Sequence, residues 1–296
     1  MSKVYVKFPK SGLGNLMLVW AKAKLFGELN KLPVVIAPWW GIRLGAWARN
    51  EKRKRLYMGY FKESNAAERM QAKLFSLTAT IVHDPPVQKI ATGKNIRTLF
   101  VFNKISTSND IFSDIREHRD YIRHEIYKLL KPTLLAQLHN LQKPVIAIHI
   151  RRGDFKIANP VTPLSFFIDC IQAVRKLTGQ EWPVTVFTDA DVDEIKEVLL
   201  LPNINMAENK PDILDILLMS MSKVVVLSKS STFSYWGAFL SDAIVLRPFD
   251  DWQKTIRGNN AQGQSLEILW KEDDPACLQQ LSSALTILQP TGFSPL

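Results

Sequence analysis

The sequence predicts an α/β protein made of two parallel-sheet halves, and three observations carry that prediction. Short apolar runs alternate with amphipathic stretches of roughly 10–15 residues, the rhythm of strands joined by crossover helices. The run Val145-Ile146-Ala147-Ile148-His149-Ile150 is almost continuously apolar, as a strand covered on both faces requires. Net charge divides unevenly, +14 over residues 1–142 and −4 over residues 143–296, so two domains with that boundary are expected.

Taken in order, the N-terminal half opens with the strand pattern Val4-Tyr5-Val6-Lys7-Phe8 and a tight segment, Pro9-Lys10-Ser11-Gly12-Leu13-Gly14-Asn15. Residues 16–30 read as a helix because Leu16, Met17, Trp20, Ala23 and Phe26 recur at helical spacing. Leu32-Pro33-Val34-Val35-Ile36 is a second strand, closing a β-loop-α-β unit. Residues 39–95 show no clear period and mix Trp39, Trp40 and Trp47 with basic and turn residues. A strand follows at 96–102, then amphipathic helix over 114–142, interrupted at Pro132.

In the C-terminal half a helix is expected to start at Thr162-Pro163, with Thr162 as N-cap and Pro163 in the first turn, and to end at Gly179. Val184-Thr185-Val186-Phe187 is the next strand, and Asp191 with Glu194 resembles a capping box for the helix after it. A helix over 212–221, a strand over 223–227, a helix over 232–240 and a strand over 244–246 complete the series.

Composition narrows the function classes. The 296 residues are 46% hydrophobic and 22% charged, which suffices for a large core and excludes disordered and disulfide-scaffold proteins. No apolar run approaches the roughly 18–20 residues that cross a bilayer. The start MSKVYVKFPKSG carries charge where a signal peptide needs its apolar stretch, and no Asn-x-Ser/Thr acceptor occurs. Of the two cysteines, Cys170 and Cys277, the first lies in an apolar helical pattern, the setting of a buried free thiol. A cytoplasmic protein is expected. The cluster Arg49-Asn50-Glu51-Lys52-Arg53-Lys54-Arg55 reads either as a solvated face or as a contact for a phosphorylated ligand, nucleic acid or the inner membrane face.

Doubly wound sheets bind ligands beyond the carboxyl ends of their strands. His149-Ile150-Arg151-Arg152-Gly153-Asp154 follows the first C-terminal strand and sets two permanent guanidinium charges side by side. They suit a diphosphate bound bidentately, or a salt-bridge cluster in which Asp154 neutralises one of them. Asp189 ends the next strand, where a carboxylate accepts from a ribose hydroxyl, from the N–H pair of guanine, or only from its own turn. Asp189-Ala190-Asp191 also matches the loose Asp-x-Asp pattern of metal-dependent glycosyltransferases, although Asp191 is better used as a cap. Ser228-Lys229-Ser230-Ser231-Thr232 crowds hydroxyls at a helix start, a ready anion site. The Gly12-Leu13-Gly14-Asn15 loop lacks the third glycine of a dinucleotide fingerprint and the Gly-Lys-Ser/Thr of a P-loop.

Together SGLGNLMLVWA, HIRRGDF, FTDAD and SKSSTFSYWGAFL resemble, in order and spacing over nearly the whole chain, the bacterial α-1,2-fucosyltransferases of glycosyltransferase family 11. The paired patterns His-x-Arg-Arg-Gly-Asp and Ser-Ser-x-Phe-Ser-x-Trp-Gly-Ala carry the resemblance. It implies a GT-B architecture, two Rossmann-like domains facing a central cleft, with residues 1–142 on the acceptor side and 143–296 binding GDP-fucose. The implied reaction moves fucose with inversion to the 2-hydroxyl of a galactose, with no metal or other cofactor and no nucleic acid. His149 would contact the nucleotide, Arg151 the diphosphate and Asp189 the base, with Ser230, Ser231 and Thr232 on phosphate. Gly12, Gly14 and Asn15 would approach the diphosphate and fucose, and Arg152 would hold the motif together. Asp154 is the candidate general base. Independently of the resemblance, Trp39, Trp40 and Trp47 in the basic half read either as acceptor platforms or as buried anchors. Leu16 and Lys229 depart from the family pattern, which often has Gln and Asn there.

Overall fold

Alternation along Lys3–Val6 buries Val4 and Val6 and leaves Lys3 and Tyr5 half-buried, the period of two that makes strand β1. The computed structural model describes residues 2–40, 56–90, 97–153, 161–259 and 266–288. The chain forms two compact units, Met1–His139 and Asn140–Leu296, where the charge division places the boundary after residue 142. In the first unit β1 is followed by α1 (Leu13–Asn30), β2 (Val34–Ile36), α2 (Ala66–Ser76), β3 (Thr80–His83) and β4 (Thr98–Phe102). Helices α3 (Arg119–Leu129) and α4 (Pro132–Asn140) close it, divided where Pro132 removes a backbone donor. The sheet is parallel throughout, in the order β2-β1-β4-β3. Val19, Ala23 and Phe26 of α1 pack on Val4, Val6, Phe100 and Phe102 to form its core.

The second unit runs β5 (Ile146–Ile150), α5 (Leu164–Thr178), β6 (Val184–Thr188), α6 (Lys196–Leu199), β7 (Ile204–Met206), α7 (Asp212–Ser220), β8 (Val224–Val226), α8 (Thr232–Leu240), β9 (Ile244–Pro248), β10 (Glu267–Trp270) and α9 (Pro275–Leu288). Its six strands are also parallel, in the order β10-β9-β8-β5-β6-β7. Every residue of β5, β8 and β9 is buried, which accounts for their unbroken apolar runs. Ile146, Ile148, Ile150, Val224 and Val226 meet Phe167, Cys170, Ile171 and Val174 of α5 and Leu281 of α9. Helix α7 packs along α8, and Gly237 permits the close crossing: a Cβ there would lie 2.9 Å from the Met219 Cβ. Both cysteines are buried and unbridged, and burial pushes the Cys170 thiol well above its ordinary pKa. Two Rossmann-like α/β units are the make-up expected of a GT-B protein. Among the described residues no helix is long and apolar enough to cross a membrane.

Two local expectations are corrected. Helix α1 begins at Leu13, with Gly12 as an extended N-cap, so Gly14 and Asn15 form its first turn rather than a preceding loop. Helix α5 begins at Leu164 with Pro163 in the cap position, and Thr162 makes no cap bond to that helix. Its hydroxyl instead accepts the Lys229 N–H at 3.0 Å, tying the loop after β5 to the turn after β8.

Candidate functional site

From β5 the chain winds outward through β6 and β7, and from β8 it winds the other way through β9 and β10. Neighbouring strands β5 and β8 therefore mark the switch point, where the loops leaving their carboxyl ends diverge and open a crevice. The segments singled out from sequence, 149–153 and 228–232, are those two loops. Ser228 closes them together. Its hydroxyl donates to the His149 carbonyl at 2.8 Å and accepts the Arg151 N–H at 2.9 Å. On the other flank the Thr188 hydroxyl donates to the Ile150 carbonyl at 2.7 Å.

Between those ties the two arginines have different surroundings. Arg151 is about a quarter exposed, and its Nη1 lies 2.5 Å from Asp189 Oδ2. Asp189 Oδ1 accepts the Arg152 N–H at 2.7 Å, so one carboxylate holds both members of the pair. Arg152 is buried, with Nη1 donating to the Arg151 carbonyl at 3.1 Å. Burial pulls the Arg152 pKa below its ordinary value, and the Asp189 charge opposes that shift. Gly153 turns the chain with φ +30°, and a side chain there would run into the Asp189 carboxylate. Arg151 is the partly open cation, and Arg152 is a buried support. Asp154, named from sequence as an arginine partner and general base, lies outside the described residues. Among the described residues, Asp189 is a carboxylate partner of Arg151.

His149 is buried at the end of β5, its ring 5.2 Å from that of Phe233 in the first turn of α8. Ser230, Ser231 and Thr232 lead directly into α8, where the first N–H groups of a helix favour negative charge. Lys229 pairs with Asp250 at 2.6 Å. The structure thus gathers His149, Arg151, Arg152, Asp189 and residues 230–232 on one sheet edge. Asp191 sits in a capping box with Glu194, which occupies one carboxylate of the Asp-x-Asp pattern as Asp189 occupies the other.

In the first unit Gly12, Gly14 and Asn15 stand at the matching place. Strand β1 lies between β2 and β4, and α1 starts beyond its carboxyl end. The Asn15 amide donates to Ser11 Oγ at 2.7 Å and fixes that first turn. Trp39 is corrected as an acceptor platform. It is 1% exposed, with the Phe8 and Phe61 rings each 4.2 Å away, so it anchors the core of its unit. Trp40 is 51% exposed. Trp47 and the basic cluster 49–55 lie outside the described residues. What sequence reading missed is the bracing by Ser228 and Thr162, whose hydroxyls tie the two loops together. Sequence alone reads such hydroxyls as ordinary turn and cap chemistry.

The sequence model of glycosyl transferase family 11 matches residues 106–258. No curated protein sequence matches the chain. Similar solved structures include fucosyltransferase NodZ from Bradyrhizobium, 12% identical with TM-score 0.48, covering 81% of this chain and 94% of that one. A variant of Arabidopsis thaliana FUT1 in complex with GDP is 14% identical with TM-score 0.47, covering 86% and 72%. POFUT1 in complex with GDP-fucose is 13% identical with TM-score 0.46, covering 82% and 94%.

Proposed function

Because this chain belongs to glycosyl transferase family 11, we propose that it moves L-fucose from GDP-β-L-fucose to the 2-hydroxyl of a galactose in an oligosaccharide, with inversion and without a metal. The observation that carries the proposal is Arg151, a partly exposed guanidinium at the switch point of the C-terminal sheet, flanked by a hydroxyl-rich helix start. In the reaction the bond from the fucose anomeric carbon to the β-phosphate oxygen breaks, and a bond to the acceptor oxygen forms on the opposite face. Negative charge accumulates on the departing GDP as positive charge develops on the sugar ring. Arg151 and the amino end of α8 take up that negative charge where little water competes. Arg152 and Asp189 keep Arg151 in place, His149 contacts the nucleotide, and Asp189 keeps lone pairs for the base.

The first unit is assigned the acceptor side. Gly12, Gly14 and Asn15 bring backbone close to the diphosphate and fucose, Trp40 stacks on the acceptor sugar, and Asp154 takes the acceptor proton. The basic cluster 49–55 would bring the enzyme to an anionic inner-membrane surface carrying the glycan. Incubation with GDP-fucose and galactose-terminated oligosaccharides, followed by linkage analysis by NMR, is expected to give an α-1,2-fucoside in the presence of excess chelator. Arg151→Ala is expected to lose on the order of 10²–10³ in rate, as removal of an oxyanion donor does, with an unchanged circular dichroism spectrum. Product at another linkage would refute the acceptor assignment, and near-normal turnover by Arg151→Ala would refute the role of that residue.

A further inference from the structure

Ser230 has a φ of 57°, the left-handed region that a residue with a Cβ rarely adopts. It sits in the middle of the turn to which the reading above assigns the donor's diphosphate, so something must hold it there. Its N–H donates to Tyr235 Oη at 2.6 Å and reaches Asp251 Oδ1 only at a longer 3.4 Å. The Tyr235 hydroxyl in turn donates to Asp251 Oδ1 at 2.6 Å. The Asp251 side chain is fully buried, and its Oδ2 lies 3.2 Å from Arg247 Nη1. Arg247 stands on β9, is 4% exposed, and also donates to the Gln253 carbonyl at 2.5 Å. A second acid, Glu267 on β10, lies 3.7 Å from Arg247 and accepts the N–H groups of Ile256 and Arg257 at 3.0 and 2.6 Å. The chain of contacts runs without a gap from the sheet to the backbone of the turn.

We propose that Tyr235 is a positioning residue for the donor site: its hydroxyl, braced by Asp251 and Arg247, holds Ser230 in the backbone shape that receives the diphosphate. The ring is completely buried, so Tyr235 acts through the turn and does not touch the donor. Burial first, and the Asp251 carboxylate second, push the phenol far above its ordinary pKa, so the hydroxyl keeps its proton and serves as donor to Asp251. The pattern Ser-Ser-x-Phe-Ser-x-Trp-Gly-Ala leaves position 235 open, and a phenylalanine there would pack the same core while leaving the Ser230 N–H without this acceptor. Lys229 and Asp250 make a parallel tie between the same loop and turn, but Asp250 is half exposed and water screens that pair.

The test is steady-state kinetics with GDP-fucose, alongside GDP binding by calorimetry, on the full chain and its Tyr235→Phe, Asp251→Ala and Asp251→Asn variants. Tyr235→Phe and Asp251→Ala are expected to raise donor KM and GDP Kd on the order of ten-fold, with kcat changed less than about three-fold. Asp251→Asn retains an oxygen that accepts from the Tyr235 hydroxyl and is expected to restore KM to within about three-fold of the parent. A folded Tyr235→Phe protein with parental KM and Kd overturns the proposal. A fall in kcat at unchanged KM also overturns it, because that is the mark of fewer intact molecules. Absence of GDP binding by the parent chain overturns the donor reading and this proposal with it, and is distinguished by needing no variant.

Discussion

Asp189 illustrates how a single carboxylate organises the cationic turn. One oxygen accepts the Arg152 N–H and the other pairs with the Arg151 guanidinium, while Gly153 leaves the space that the carboxylate occupies. Asp189→Asn keeps an acceptor for the N–H and removes the charge. The expected result is a loss of about 1–2 kcal/mol in a urea melt, less than a fully buried pair because water screens these groups. The fall in kcat is expected to exceed the rise in donor KM, since Arg151, assigned the charge of the departing GDP, is then held less firmly in place. The positions of His149, Arg151, Arg152 and Asp189 are legible in sequence because each follows an apolar strand in a doubly wound order. Their partners are less so. A pairing between residues 151 and 189 depends on β5 and β6 being neighbours in register, whereas Asp154 suggests itself by sequence proximity alone. Trp39 shows the converse: an aromatic residue near basic ones reads equally as a sugar platform or a buried anchor, and its burial decides for the anchor.

Among the elements, legibility follows burial. Strands β5 and β8 lie in the middle of their sheet, are covered on both faces and stand out as apolar runs. Strands β7 and β10 are the sheet's edges, β3 is an edge of the N-terminal sheet, and all three escape notice in the sequence. Each has three or four residues and outward-facing polar or exposed positions, so no run or strict alternation survives. Helix α2 is equally hard to read because only Ala72 and Phe75 are buried. Helices also carry a pH dependence. Glu125 of α3 lies 2.9 Å from Lys24 of α1 and 3.1 Å from Lys128. Burial alone would raise its pKa, but bonds to Lys24 and then Lys128 outweigh burial, and the net shift is downward from the ordinary 4.5. A depressed carboxylate stabilises the fold above its unfolded pKa, and that contribution is lost as pH falls through the folded value. Denaturant midpoints for the parent and Glu125→Gln are therefore expected to differ at pH 7 and to converge as pH falls below the ordinary glutamate range and through the depressed folded value.

For the whole molecule, the charge division and the two units coincide closely. The basic half folds around one parallel sheet and the acidic half around another, and each has a switch point beside a segment singled out by its chemistry. In the C-terminal unit that segment gathers a partly exposed guanidinium, a buried one behind it, and a helix start lined with hydroxyls, chemistry that suits an anion. Carboxyl-edge loops of this kind are legible because strand order and loop chemistry agree. The internal brace through Tyr235 is not, since it joins residues 230, 235, 247 and 251 through side chains that look like ordinary core. The account rests on recognition of a guanosine diphosphate at that edge, and the melting midpoint with and without nucleotide tests it most directly. At a hundredfold excess over Kd, GDP is predicted to add about 2.7 kcal/mol of stability to the parent, with no comparable rise from UDP or ADP and none from GDP in Arg151→Ala. Equal stabilisation by all three nucleotides, or a GDP shift that survives Arg151→Ala intact, would contradict it.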